Sequence, residues 1–189
     1  MKTIEVSDVE KYIKEVLENM PNSWLNTTTH RLDIYNEKLA KTQFLEELKV
    51  LFKNNNFKTT ELNKLPTAYD YIRLGHPLSC LLEWGVGNLH NIKSENVICF
   101  SSKTISILSI LRKNSLDNEK TQIIYKDEYP LLLDLEVLQN VYGYTFDLKQ
   151  IEDASDVPKF DGTTVFISQQ DKIITNNLIP NIDFFINIY

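Results

Sequence analysis

Residues 95–114 read ENVICFSSKTISILSILRKN, and the reading of this stretch decides the fold. NVICF (96–100) is a short, uncharged, mostly apolar run, the pattern of a buried strand. Ser101, Ser102, Lys103 and Thr104 follow, and their hydroxyls suit the start of a helix. A helix expected over 103–113 carries apolar side chains on most sides and closes on Arg112 and Lys113, cations that favour a helix C-terminus. The alternation then repeats. TQIIY (121–125) reads as a strand, and PLLLDLEVLQNVYG (130–143) as a helix begun by Pro130 and ended by Gly143. YTFDL (144–148), TTVFIS (163–168) and DFFINIY (183–189) read as further strands. Strand and helix in alternation predict an α/β fold: a mostly parallel sheet of about five strands flanked by helices, with right-handed crossovers.

The upstream part lacks strands. Ser7-Asp8-Val9-Glu10 has the capping-box pattern. Val6, Val9, Ile13, Val16, Leu17 and Met20 then recur at helical spacing up to Pro21. A second amphipathic helix is expected over 36–54, ended by the Asn54-Asn55-Asn56 tract. These two make an N-terminal helical arm, 1–68, ahead of a sheet domain, 69–189. A further helix starts at Pro77 and shows Leu78, Leu81, Leu82, Gly85 and Leu89 on one face, Gly85 allowing a neighbour close. The Gly85-Val86-Gly87 run lies in mid-helix and follows no strand, so it is not a dinucleotide fingerprint.

Composition narrows the function. The chain has 189 residues, 42% hydrophobic and 24% charged, with a formal charge of −6, so one domain with an appended arm fits. An acidic chain disfavours nucleic acid and anionic membrane surfaces as main partners, because both demand a basic face. No apolar run reaches 18 residues and the first residues lack a signal-peptide core, so a cytoplasmic protein is expected. Cys80 and Cys99 form no Cys-x-x-Cys pair, and His30, His76 and His90 have no metal-binding spacing. No metal is therefore expected, and His76, before Pro77, reads as a loop or capping residue. Ser79-Cys80 lacks the glycines of a nucleophile elbow. Asp33, Glu37, Glu46 and Glu47 read as a solvated charged surface.

Two places remain where chemistry could sit, both beyond strand ends, where open parallel sheets bind ligands. At Ser101–Thr104, helix N–H groups, the helix dipole and hydroxyls favour an anion. The same residues are ordinary helix caps, and without glycines they do not form a Walker loop. At YKDEYP (125–130), Tyr129 offers a ring that could stack on a planar ligand or pack under a loop.

In order and spacing, these segments resemble the first half of the large domain of fold-type I pyridoxal-phosphate enzymes, the aminotransferase superfamily. The similarity spans about 69–189 and includes Tyr71-Ile72-Arg73-Leu74-Gly75-His76-Pro77, like the family's Y-x-x-x-G-x-P before an amphipathic helix. It implies pyridoxal phosphate as cofactor, with Ser102, Lys103 and Thr104 at its phosphate and Tyr129 over its ring. Two departures stand out. Asn187 lies where the family has an aspartate for the pyridinium nitrogen, and no lysine occupies the Schiff-base position. The resemblance therefore implies an incomplete or degenerate relative of these transferases, which binds a phosphate-bearing ligand and is completed, if at all, by a homodimer or a complementing second chain. The alternative is a small acidic interaction module, an immunity or regulatory protein that binds a protein partner without a cofactor. A Rossmann-like nucleotide domain is a third reading, weakened by the missing glycine loop.

Overall fold

The structure is a computed structural model and describes residues 6–25, 37–66, 76–126, 128, 130, 134–153, 156–169 and 179–188. The chain divides into two units, Met1–Cys99 and Phe100–Tyr189.

The first unit is helical. Its elements are α1 (Val6–Asn19), α2 (Glu37–Lys53), the short α3 (Thr59–Leu62) and α4 (Pro77–Leu89), with 3₁₀ turns at Asn22–Leu25 and Ser94–Asn96. Val9, Tyr12 and Val16 of α1, Phe44 and Leu48 of α2, and Cys80, Leu81 and Trp84 of α4 meet in one core, each set recurring at the helical period. Inside it the Tyr12, Phe52 and Trp84 rings pack edge to face, with centroids 5.0, 4.9 and 5.8 Å apart. The Tyr12 hydroxyl donates to the Asn56 carbonyl at 2.9 Å, and burial pushes its phenol up to about 12.

The helix ends follow the local chemistry, with one shift. Asn55 takes φ +47° and closes α2, as the asparagine tract predicts. His76 caps α4, its Nδ1 accepting the Leu78 N–H at 3.2 Å, and Pro77 fills the first turn. Ser7, however, lies inside α1 and not ahead of it, because the helix already runs from Val6.

Because α4 shares the helical core, the division falls at Cys99–Phe100 and not at 68–69. Gly85 and Gly87 are buried in α4 and serve packing. A Cβ on Gly85 would lie 2.7 Å from Ile13 Cδ1; one on Gly87 would meet Ser94 Oγ at 2.7 Å and the Ile92 carbonyl oxygen at 2.9 Å.

The expected strand at 96–100 does not form. A buried ion pair takes its backbone groups instead: Lys41 Nζ lies 2.7 Å from Glu83 Oε2, donates to the Val97 carbonyl at 2.8 Å, and Glu83 Oε1 accepts the Cys99 N–H at 2.9 Å. An extended segment needs partners for its N–H and C=O groups, and here side chains from α2 and α4 supply them. Burial pushes the Glu83 carboxyl up, against the Lys41 and Cys99 hydrogen bonds that pull it down. Burial, reinforced by the Glu83 charge, also raises the Cys99 thiol to about 11, far from a reactive thiolate at neutral pH.

The second unit is α/β, as expected, with four strands among the described residues. Helix α5 (Ile105–Asp117) precedes β1 (Thr121–Lys126), β2 (Asp147–Ile151), β3 (Thr163–Ser168) and β4 (Phe184–Asn187). All pairings are parallel, in the order β2-β1-β3-β4. On one face Ile107 and Leu111 of α5, with Leu138, pack against Ile123, Val165, Ile167 and Ile186. On the other, Ile124 and Phe166 pack with Ile151, Val157 and Ile179. The central β3 is buried throughout, the mark of a parallel strand covered on both sides. A single π-helical turn, Val137–Val141, represents the expected second helix. The Tyr142 N–H reaches the Val137 carbonyl at 3.0 Å, and Gly143 at φ +70° ends the turn. Among the described residues no helix is long and apolar enough to cross a membrane.

Two tests address the first unit. The folded state holds the Glu83 proton more tightly than the unfolded chain does, so Glu83's contribution is fully present below the ordinary value of 4.5 and is lost as pH rises through its raised value. Lys41→Met removes the cation that limits this loss. Denaturant unfolding across pH 4–8 should show a penalty of about 3–5 kcal/mol near neutrality that shrinks on acidification; a pH-independent penalty contradicts the assignment. Gly87→Ala should cost about 1–3 kcal/mol because it meets backbone. Gly85→Ala should cost less, since only a rotatable methyl stands in the way and alanine favours the helix by about 1 kcal/mol.

Candidate functional site

Three residues connect α5 to β1, and Asn114 Nδ2 near the end of α5 donates to Thr121 Oγ1 at 2.9 Å. Helix and strand therefore run antiparallel, and the start of α5 lies toward the carboxyl ends of the strands. The first-turn amides of a helix have no intrahelical acceptor. Beside this start lies a shallow cleft of about 170 Å³ lined by Thr104, Ile107, Leu108, Asp134, Val137, Leu138 and Tyr142.

The junction is put together differently from a simple cap. Ser102 Oγ and Thr104 Oγ1 lie 3.1 Å apart, and the Thr104 N–H points to Ser102 Oγ at 3.4 Å. Thr104 occupies the N-cap of α5, yet its side chain makes no capping bond and its backbone is already helical. Lys103 is exposed and does not line the cleft. Thus Ser102 and Thr104 come together, Lys103 stands apart, and Tyr129 lies outside the described residues. The stretch Tyr71–Gly75 lies outside them too, while His76 acts as the cap described above. Asn187 ends β4, beside Ser168 of β3.

Two lining residues escaped the sequence reading. Asp134 Oδ1 accepts the Val137 N–H at 3.0 Å, capping the short α-helical lead-in at 135–136 to the π-helical turn, and Asp134 lines the cleft. An aspartate three residues ahead of an apolar run is a capping signal, and it was available in the sequence. Tyr142, whose ring stacks with that of Tyr144 at 5.9 Å, forms one wall. The cleft thus has the Thr104 hydroxyl at the helix start, an apolar body and a carboxylate acceptor.

These residues match pyridoxal phosphate in part. Hydroxyls and helix amides fit a phosphate. Among the described residues, however, no lysine lines the cleft, so nothing there can form the imine, and no group of three or more metal-ligating side chains exists. Comparison with protein-family models, curated proteins and solved structures finds no match to this chain.

The cap assignment predicts unequal stability costs. Asp134→Ala should lower unfolding free energy by about 1 kcal/mol, and Thr104→Ala should stay within about 0.5 kcal/mol of the natural protein. Denaturant melts check both; a larger cost at Thr104 contradicts the geometry.

Proposed function

We propose that the second unit is a ligand-binding α/β domain, related to pyridoxal-phosphate enzymes but without imine chemistry in this cleft, which holds a small phosphate-bearing molecule at the start of α5. The observation that carries this reading is the cleft in which Thr104, at the start of α5, and Asp134 share a lining with Ile107, Leu108, Val137 and Leu138. A bare inorganic anion satisfies one end only, because the Asp134 carboxylate repels it. A ligand that suits both ends carries a phosphate, a flat apolar body and a nitrogen that donates to the carboxylate. Pyridoxal phosphate has this layout. The volume of about 170 Å³ is below that of sites for drug-sized molecules, in keeping with a small metabolite.

Calorimetric titration with pyridoxal phosphate, and separately with inorganic phosphate, tests the assignment. Thr104→Ala should weaken both by about tenfold. Asp134→Asn keeps the cap and should change the two in opposite directions, weakening pyridoxal phosphate and strengthening phosphate. Failure of either anion to bind, or a shift of both in the same direction, rejects the reading.

A further inference from the structure

Ser168, the last residue of β3, is 5% exposed, and its hydroxyl has no hydrogen-bond partner. An unpartnered buried hydroxyl is destabilising and calls for a physical explanation, such as a group that is bound there in use. Its place in the sheet supplies one. The strand order β2-β1-β3-β4 sends the chain outward in one direction from β1 and in the other from β3. The carboxyl ends of β1 and β3 therefore flank the point at which the direction of winding reverses, where open parallel sheets take their ligands.

The register defines what stands there. Tyr125 pairs with Ile167, so the next position sets Lys126 beside Ser168, and Ser168 pairs with Asn187. Ile124 and Phe166, two residues earlier, belong to the face opposite α5, and by strand alternation Lys126 and Ser168 do as well. The row is thus separate from the cleft at Thr104. Lys126 is exposed, and Gln169 Nε2 donates to the Glu128 carbonyl at 3.5 Å, joining the segments after β1 and β3 across the same point. Among the described residues, the other two unpartnered buried atoms, Asn114 Oδ1 and Gln122 Nε2, lie at the amino end of the sheet, where this rule places no ligand.

We propose a second binding site at this point, specific for a small oxyanion, the carboxylate or phosphate group of a metabolite, with Ser168 Oγ as the buried donor and Lys126 Nζ as the countercharge. A hydroxyl donor beside an ammonium group complements an oxyanion. The proposal does not rest on the reading of the Thr104 cleft.

Amide NMR of the full chain, titrated with inorganic phosphate and in a parallel series with acetate, tests it. The amides of Lys126, Ser168 and Gln169 should shift saturably. A response to phosphate alone identifies a phosphate site, and a response to both identifies a general oxyanion site. Ser168→Ala removes only an unpartnered hydroxyl and Lys126→Met changes an exposed side chain, so both should fold and should weaken the response about tenfold or more. Thr104→Ala should leave it unchanged. No shift at these amides with either anion, or an undiminished shift in both variants, overturns the proposal.

Discussion

The buried pair of Lys41 and Glu83 decides how the chain passes from its helical unit to its sheet unit. Two charges out of water are costly unless their remaining hydrogen-bonding capacity is filled. Here the Val97 carbonyl and the Cys99 N–H fill it, so the ion pair and the extended segment satisfy each other. The segment therefore ends inside the first unit, and α5 starts at Ile105 without a strand of the sheet directly ahead of it. Glu83 is thereby both a charged residue buried in the helical core and one that ties residues 97–99 to the first unit.

The absence of that strand alters what the Ser101–Thr104 junction is. In a strand–turn–helix unit the helix start sits at the mouth of the sheet by construction. Here it is brought there by the short connection of α5 into β1, antiparallel to the helix, and the opposite wall is the π-helical turn with Asp134 ahead of it. The Thr104 hydroxyl at the helix start and an acidic residue then share one cleft of about 170 Å³. In the function we propose, that juxtaposition selects among ligands by charge pattern more than by size, favouring a molecule that is anionic at one end and a donor at the other.

Much of the second unit was legible from apolar runs alone. TQIIY and TTVFIS are uncharged stretches bounded by polar residues, and they form β1 and the fully buried β3. Residues 96–100 share that pattern and still form no strand, because their hydrogen-bond partners come from positions 41 and 83. No local pattern reveals a capture by residues so distant in sequence. The boundary at Cys99–Phe100 was hidden for the same reason: α4 has an ordinary apolar stripe, and nothing in it says which core it joins. At the site, Thr104 was found from hydroxyls at a helix start, and Asp134 was missed although its spacing to Val137 is a capping pattern. Ser168 could not be singled out in advance, since its significance lies in the lack of a partner and in the strand order.

A crystal structure of the protein soaked with pyridoxal phosphate tests the central claim most directly. The account predicts a phosphate within hydrogen-bonding distance of Thr104 Oγ1 and the first amides of α5, the ring against Tyr142 and Leu138, and the ring nitrogen directed at Asp134, with no covalent bond to a lysine. A cleft that stays empty at saturating ligand, or a ligand held in it with the phosphate at Asp134 and away from α5, contradicts it.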